Sequence, residues 1–225
     1  MVSPIFEVST TAKSKWREDV KATWAFLESH YSISANITCA THIHISLVPE
    51  YELRDVQRVA ASVIHFESAI EALVPVHRRI NSFVKRNWLE GDGLARKGKS
   101  RADSIIAIEA AESIGDVCDM VGQRGEKNFA WNFEALDKYE TIEFRKPPAS
   151  VSSDQALCWA ELVLNFVQAA VRNGTSEKLR NVPATVGGLQ WFLRQVHEPG
   201  VNEPRRLDEL WAGKDPNEAE ETDYH

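Results

Sequence analysis

The side chains in this sequence best suited to chemistry come in two closely spaced pairs. His42 and His44 lie in Thr41-His42-Ile43-His44-Ile45, and Glu143 and Arg145 lie in Thr141-Ile142-Glu143-Phe144-Arg145. Along an extended strand, side chains alternate between faces. His42 and His44 therefore share one face and the isoleucines take the other, while Glu143 and Arg145 share a face opposite Ile142 and Phe144. If both segments belong to one sheet, four polar side chains converge on one surface. Imidazole and carboxylate are metal ligands, and the arginine fork binds phosphate or carboxylate. The same spacing also describes two solvent-facing histidines beside a surface ion pair, and the residues alone leave both readings open.

Each strand also has an apolar face that other elements must cover. Trp16, Val20, Trp24 and Leu27 recur at helical spacing, which predicts an amphipathic helix over 13–29. A strand is expected over 38–47 and a long helix over 53–73, with Val56, Val59, Ala60, Val63, Ile64 and Phe66 on its apolar face. Pro75 interrupts, and helix is expected to resume over 76–87, followed by a Gly- and charge-rich loop over 89–99. Further helices are expected over 101–121, 154–172 and 185–196, and strands over 128–133 and 140–145, the second ended by Pro147-Pro148. Trp131 and Trp159 read as core aromatics. The pattern predicts an α+β fold: a small, mainly antiparallel sheet covered by long helices on one face.

The 225 residues carry a net charge of −7, which argues against general nucleic-acid binding. No apolar run reaches the length of a membrane span, and nothing behind Met1 has the pattern of a secretory leader. Cys39, Cys118 and Cys158 form no metal or disulfide spacing, which points to a reducing, cytoplasmic setting. The domain is expected to occupy 1–200. Residues 201–225, with Asp215, Glu218, Glu220, Glu221 and Asp223, read as an acidic, disordered tail. The basic residues Arg78, Arg79, Lys85, Arg86, Arg96, Lys97, Lys99 and Arg101 fit a solvated face, or a site where one or two arginines hold an anion.

Five segments in order carry a family resemblance: Val2-Ser3-Pro4-Ile5, Cys39-Ala40-Thr41-His42-Ile43-His44, Pro75-Val76-His77-Arg78-Arg79-Ile80-Asn81, Ala130-Trp131-Asn132-Phe133 and Thr141 through Pro148. Over residues 2 to about 170 the chain resembles the putative amidoligase family, carboxylate–amine ligases with a glutamine-synthetase-like sheet, in the variant seen in filamentous fungi. The resemblance implies ATP- and Mg²⁺-dependent amide formation from a carboxylate, through an acyl phosphate, and an amine, in a specialised (secondary-metabolite) pathway. It implies His42 and Glu143 as metal ligands, and His44 on nucleotide phosphate. Arg145 would meet phosphate or substrate carboxylate, with Arg79 and Asn81 facing the same cleft.

The chain also departs from the family pattern. Members carry acidic strands and a Glu ahead of the Val-Ser-Pro-Ile segment, where this sequence has Met1; Ala40 replaces a usual Gly, and Pro147-Pro148 replaces a polar segment. The resemblance thus leads to a sheet incomplete on its N-terminal side, with an edge open to pairing with another chain. It also leads to a second expectation, a catalytically degenerate or incomplete homologue acting as a binding or partner subunit. A third reading sets the resemblance aside and takes His42, His44 and Glu143 as the metal site of a hydrolase or lyase.

Overall fold

The computed structural model describes residues 2–8, 15–196 and 207–219. Its sheet has three antiparallel strands, β1 (Ile43–Ile45), β2 (Trp131–Asn132) and β3 (Ile142–Phe144), in the order β1-β3-β2. The register sets His44 and Asn132 on either side of Glu143, and Ile43 and Trp131 on either side of Phe144. One face is thus polar and the other apolar, as the alternation predicts.

The apolar face packs against helices, giving the predicted α+β architecture. In chain order these are α1 (Trp16–His30), α2 (Leu53–Leu73), α3 (Val76–Arg79), α4 (Arg101–Glu109), α5 (Ile114–Val121), α6 (Ala135–Tyr139), α7 (Ser153–Asn173), α8 (Ser176–Leu179), α9 (Val186–Arg194) and α10 (Asp208–Trp211). α2 is the central post. A reciprocal capping box between Glu52 and Asp55 starts it, and every residue from Val59 to Leu73 is buried. α4, α5, α7 and α9 surround it. A chain of aromatic contacts ties sheet to helices: Phe144 to Trp131 at 4.4 Å between ring centres, Trp131 to Phe166 of α7 at 4.9 Å, then Phe166 to Phe66 of α2 and Phe66 to Phe192 of α9. Trp131 and Trp159 are core residues, as expected. Gly174, just past α7, approaches α2 so closely that a Cβ there would lie 2.5 Å from the Arg58 carbonyl oxygen.

The departures from the sequence-based boundaries have local causes. The strand expected over 38–47 shrinks to Ile43–Ile45, with an isolated bridge from Ala40 to Pro148, because β3 offers a ladder only that long. The helix expected over 76–87 stops at Arg79, where the Asn81 carboxamide oxygen accepts from Phe83 N–H and turns the chain. The helix expected over 101–121 is two helices, because the Ser113 hydroxyl accepts from Asp116 N–H and starts a new one.

Part of the expected disordered tail is packed. Leu207 is buried, and the Glu218 and Pro216 carbonyls accept from the N–H groups of Val186 and Gly187 at the start of α9. A count of acidic side chains misses this, because the backbone oxygens of 216–218 are meeting the open donors of a helix end. Residues 201–206 and 220–225 of that expected tail lie outside the described residues. Among the described residues no helix is long and apolar enough to cross a membrane.

Candidate functional site

The polar side chains are carried on backbone held from several directions. The Tyr51 hydroxyl donates to Ile45 O at the end of β1. On the far side of the sheet, the buried Asn87 carboxamide donates to Trp131 O and accepts from Trp131 N–H, so a side chain takes the place of a neighbouring strand along β2. Just beyond β3, Arg145 N–H donates to Ala130 O, while the buried Arg78 guanidinium donates to Arg145 O and Lys146 O. Lys146 continues the alternation onto the core face. It is fully buried, ion-paired with Glu71 of α2, and donates to Val84 O.

On the polar face, His42, His44, Glu143 and Arg145 converge, and Asn132 joins them. Glu143 is the hub. Its Oε1 lies 2.8 Å from Arg145 Nη1, 3.0 Å from His42 Nδ1 and 3.5 Å from His44 Nε2. Its Oε2 accepts from Asn132 Nδ2 at 2.7 Å. The His44 ring is fixed at its other nitrogen, 2.8 Å from the Thr141 hydroxyl, and meets Tyr139 edge-on. The cluster has two levels. The His42 and His44 side chains are 38% and 41% exposed, while those of Glu143 and Arg145 are 7% and 11% exposed beneath them.

Burial pushes the Glu143 carboxyl group up in pKa. The hydrogen bonds from His42 and Asn132, with the nearby Arg145 and His44, outweigh that effect and hold it at about 2. The site is therefore a carboxylate locked among donors. Among the described residues, two buried polar atoms in it find no hydrogen-bond partner: Arg145 Nε and Asn132 Oδ1.

The other expected site residues are turned elsewhere. The Arg79 guanidinium donates to Ala72 O and Val74 O at the C-terminal end of α2, and Asn81 serves the turn at Phe83. The basic stretch is largely engaged inside the chain: Lys85 pairs with Glu126, Arg86 with Glu90, Arg96 with Asp92, and Arg101 donates to the Ser68 hydroxyl. The sequence pattern assigns no site role to Asn132, Thr141 or Lys146, and it places Arg78 only within the basic stretch. Asn132 could have been found, since it alternates with the core residue Trp131 and so had to face the polar side.

Mg²⁺ prefers several oxygen ligands in octahedral array. This face offers one carboxylate and two imidazoles, with a guanidinium 2.8 Å from that carboxylate. Among the described residues no group of three or more His, Cys, Asp or Glu side chains is placed to hold a metal ion. The expected ligands His42 and Glu143 are instead bonded to each other, and the residues as arranged do not fit Mg²⁺. The donors are better matched to an oxyanion. A surface cleft of about 380 Å³ lies away from the sheet, lined by Gly93, Lys97, Glu112, Asp116, Asp119 and Met120 among others, and none of the four convergent residues contributes to it.

A comparison with protein-family models matches residues 1–167 to one described as a putative amidoligase enzyme. No curated protein and no solved structure matches the chain.

Proposed function

The chain belongs to the putative amidoligase family, and we propose that it is an ATP-dependent carboxylate–amine ligase working on the polar face of the sheet. In such a reaction a carboxylate oxygen attacks the terminal phosphorus of ATP and ADP departs. The amine then attacks the acyl carbon, phosphate leaves, and the amine nitrogen loses its proton. Protein groups contribute mainly by positioning and by meeting the negative oxygens. Here Arg145 would hold a phosphate or carboxylate oxygen, and His44, oriented by Thr141, would reach a second from the solvent side. The observation that carries the reading is the convergence of His42, His44, Glu143 and Arg145 within a chain of this family.

Hydroxylamine supplies the test, because it traps an acyl phosphate as a hydroxamate. Purified protein with ATP, divalent cation, hydroxylamine and a panel of amino acids and dicarboxylates should yield hydroxamate and ADP together. Arg145→Ala should lower the rate by about a hundredfold. Absence of both products across the panel, or wild-type rates in Arg145→Ala, would sink the proposal.

One observation favours a second reading, a non-catalytic binding or partner subunit. The Glu143 carboxylate already has protein partners on both oxygens. On this reading, ATP binding measured by calorimetry would persist with no hydroxamate formed. The metal-dependent hydrolase or lyase reading gains no support from the arrangement, since Arg145 occupies the carboxylate it would need.

A further inference from the structure

We propose that Glu143 is an intramolecular stand-in for an oxyanion ligand, and that ligand binding proceeds by exchange: the incoming oxyanion takes Arg145 and the two histidines, and the Glu143 side chain withdraws toward Asn132. The inference deepens the ligase reading by naming the ligand class of this face and the contact that regulates access to it.

Three observations carry it. First, Arg145 Nη1, His42 Nδ1 and His44 Nε2 all gather on the single atom Glu143 Oε1, at 2.8, 3.0 and 3.5 Å. Three nitrogens around one carboxylate oxygen form a seat that a phosphate or carboxylate oxygen fits equally well. Second, the other carboxylate oxygen has a separate anchor, Asn132 Nδ2 at 2.7 Å, so Glu143 keeps a partner after giving up the seat. Third, Arg145 is only 9% exposed, yet its Nε finds no hydrogen-bond acceptor among the described residues. A buried guanidinium with an unspent donor is costly unless something supplies an oxygen, and Glu143 already engages Nη1 without reaching Nε. The exposed His42 and His44 side chains lie above this pair, so the route from solvent to the seat passes them.

The exchange explains how a chain of this family carries its acidic residue locked in an ion pair. In the absence of ligand the buried guanidinium needs a counter-charge, and Glu143 supplies it. The ligand must then compete with an internal carboxylate, which weakens binding of any oxyanion too small to use the remaining donors.

The test is calorimetric titration of the full chain, free of divalent metal, with inorganic phosphate and separately with acetate. Glu143→Gln removes the internal competitor's charge, and Glu143→Asp shortens it by one methylene and serves if the glutamine variant does not fold. The expected result is about tenfold tighter binding of at least one anion in these variants than in wild type, with the gain lost when Arg145→Met is added. A gain with phosphate assigns the seat to the nucleotide side, and a gain with acetate assigns it to the substrate carboxylate. Unchanged or weaker binding of both anions in the folded variants overturns the exchange. The hydroxamate assay stands apart from this test: a gain in anion affinity without hydroxamate retires the ligase and keeps the seat, and hydroxamate without the gain does the reverse.

Discussion

Arg145 and Glu143, two residues apart along β3 and its extension, meet through Nη1 and Oε1 at 2.8 Å on the side of the sheet opposite its aromatic core. Neighbours on one strand face lie within ordinary side-chain reach, so the pair forms without help from distant loops. What is unusual is its burial, which turns a common surface contact into an electrostatic commitment.

That commitment sets an acid limit. The Glu143 carboxyl is held at about 2, below its ordinary 4.5. A depressed carboxyl contributes stability above its unfolded pKa and loses it as pH falls toward the folded one. Urea midpoints measured from pH 5 to pH 2.5 should therefore fall for the wild type, and fall less steeply for Glu143→Gln. Parallel slopes would remove Glu143 as a source of the acid loss.

Two other buried groups oppose one another nearer neutrality. Burial lowers His65 to about 4, despite its hydrogen bond to Val182 O, so its contribution is complete above 6.5 and lost toward 4. Burial raises Glu71 to about 7, only partly offset by Lys146, so its contribution is complete below 4.5 and lost as pH rises toward 7. Between pH 5 and 7 the two partly cancel. Glu71→Gln should make stability fall more steeply on acidification, and His65→Gln should make it rise. Denaturant midpoints across that interval would show the two slopes with opposite signs.

The Glu71–Lys146 pair should behave as a unit. Both side chains are almost wholly inaccessible, at 3% and 0% exposed. Breaking a buried pair from one side costs about 3–5 kcal/mol, whereas replacing both partners with apolar groups of similar size is often near neutral. Lys146→Met should be strongly destabilising alone, and the Glu71→Leu, Lys146→Met double variant should recover most of the loss. Additive losses in a double-mutant cycle by urea denaturation would show the pair to be uncoupled.

Gly174 tests the seam between α2 and α7. A Cβ there would sit 2.5 Å from Arg58 O and 2.6 Å from both Ala170 O and Ser62 Oγ, and the two carbonyls are backbone groups that cannot swing aside. Gly174→Ala should cost about 1–3 kcal/mol, read as a lowered melting temperature. An unchanged melting temperature would mean that the helices separate there at little cost.

Much of this fold was legible because local signals agreed with tertiary ones. α2 runs from Leu53 to Leu73 as its periodicity predicts, since the Glu52–Asp55 box and the apolar face point the same way. The period-two alternation brought His42, His44, Glu143 and Arg145 together across strands distant in sequence. The remainder depended on partners that pattern cannot name. Lys146 reads as a surface lysine until Glu71 is found beside it. Arg79 reads as a site residue from its motif, and only the structure shows its guanidinium donating to Ala72 O and Val74 O at the end of α2. Asn87, in a stretch with a helical pattern, is an edge-closing group only because Trp131 lies alongside.

β3 and its extension keep chemistry on odd-numbered residues and structure on even ones: Glu143 and Arg145 against Ile142, Phe144 and Lys146. The two functions are therefore locked in phase along five consecutive residues. A single inserted or deleted residue within 142–146 would invert the strand, pressing a carboxylate and a guanidinium into Trp131 and Phe166 while setting Phe144 in water. Sequence drift can accordingly reach β3 only by substitution.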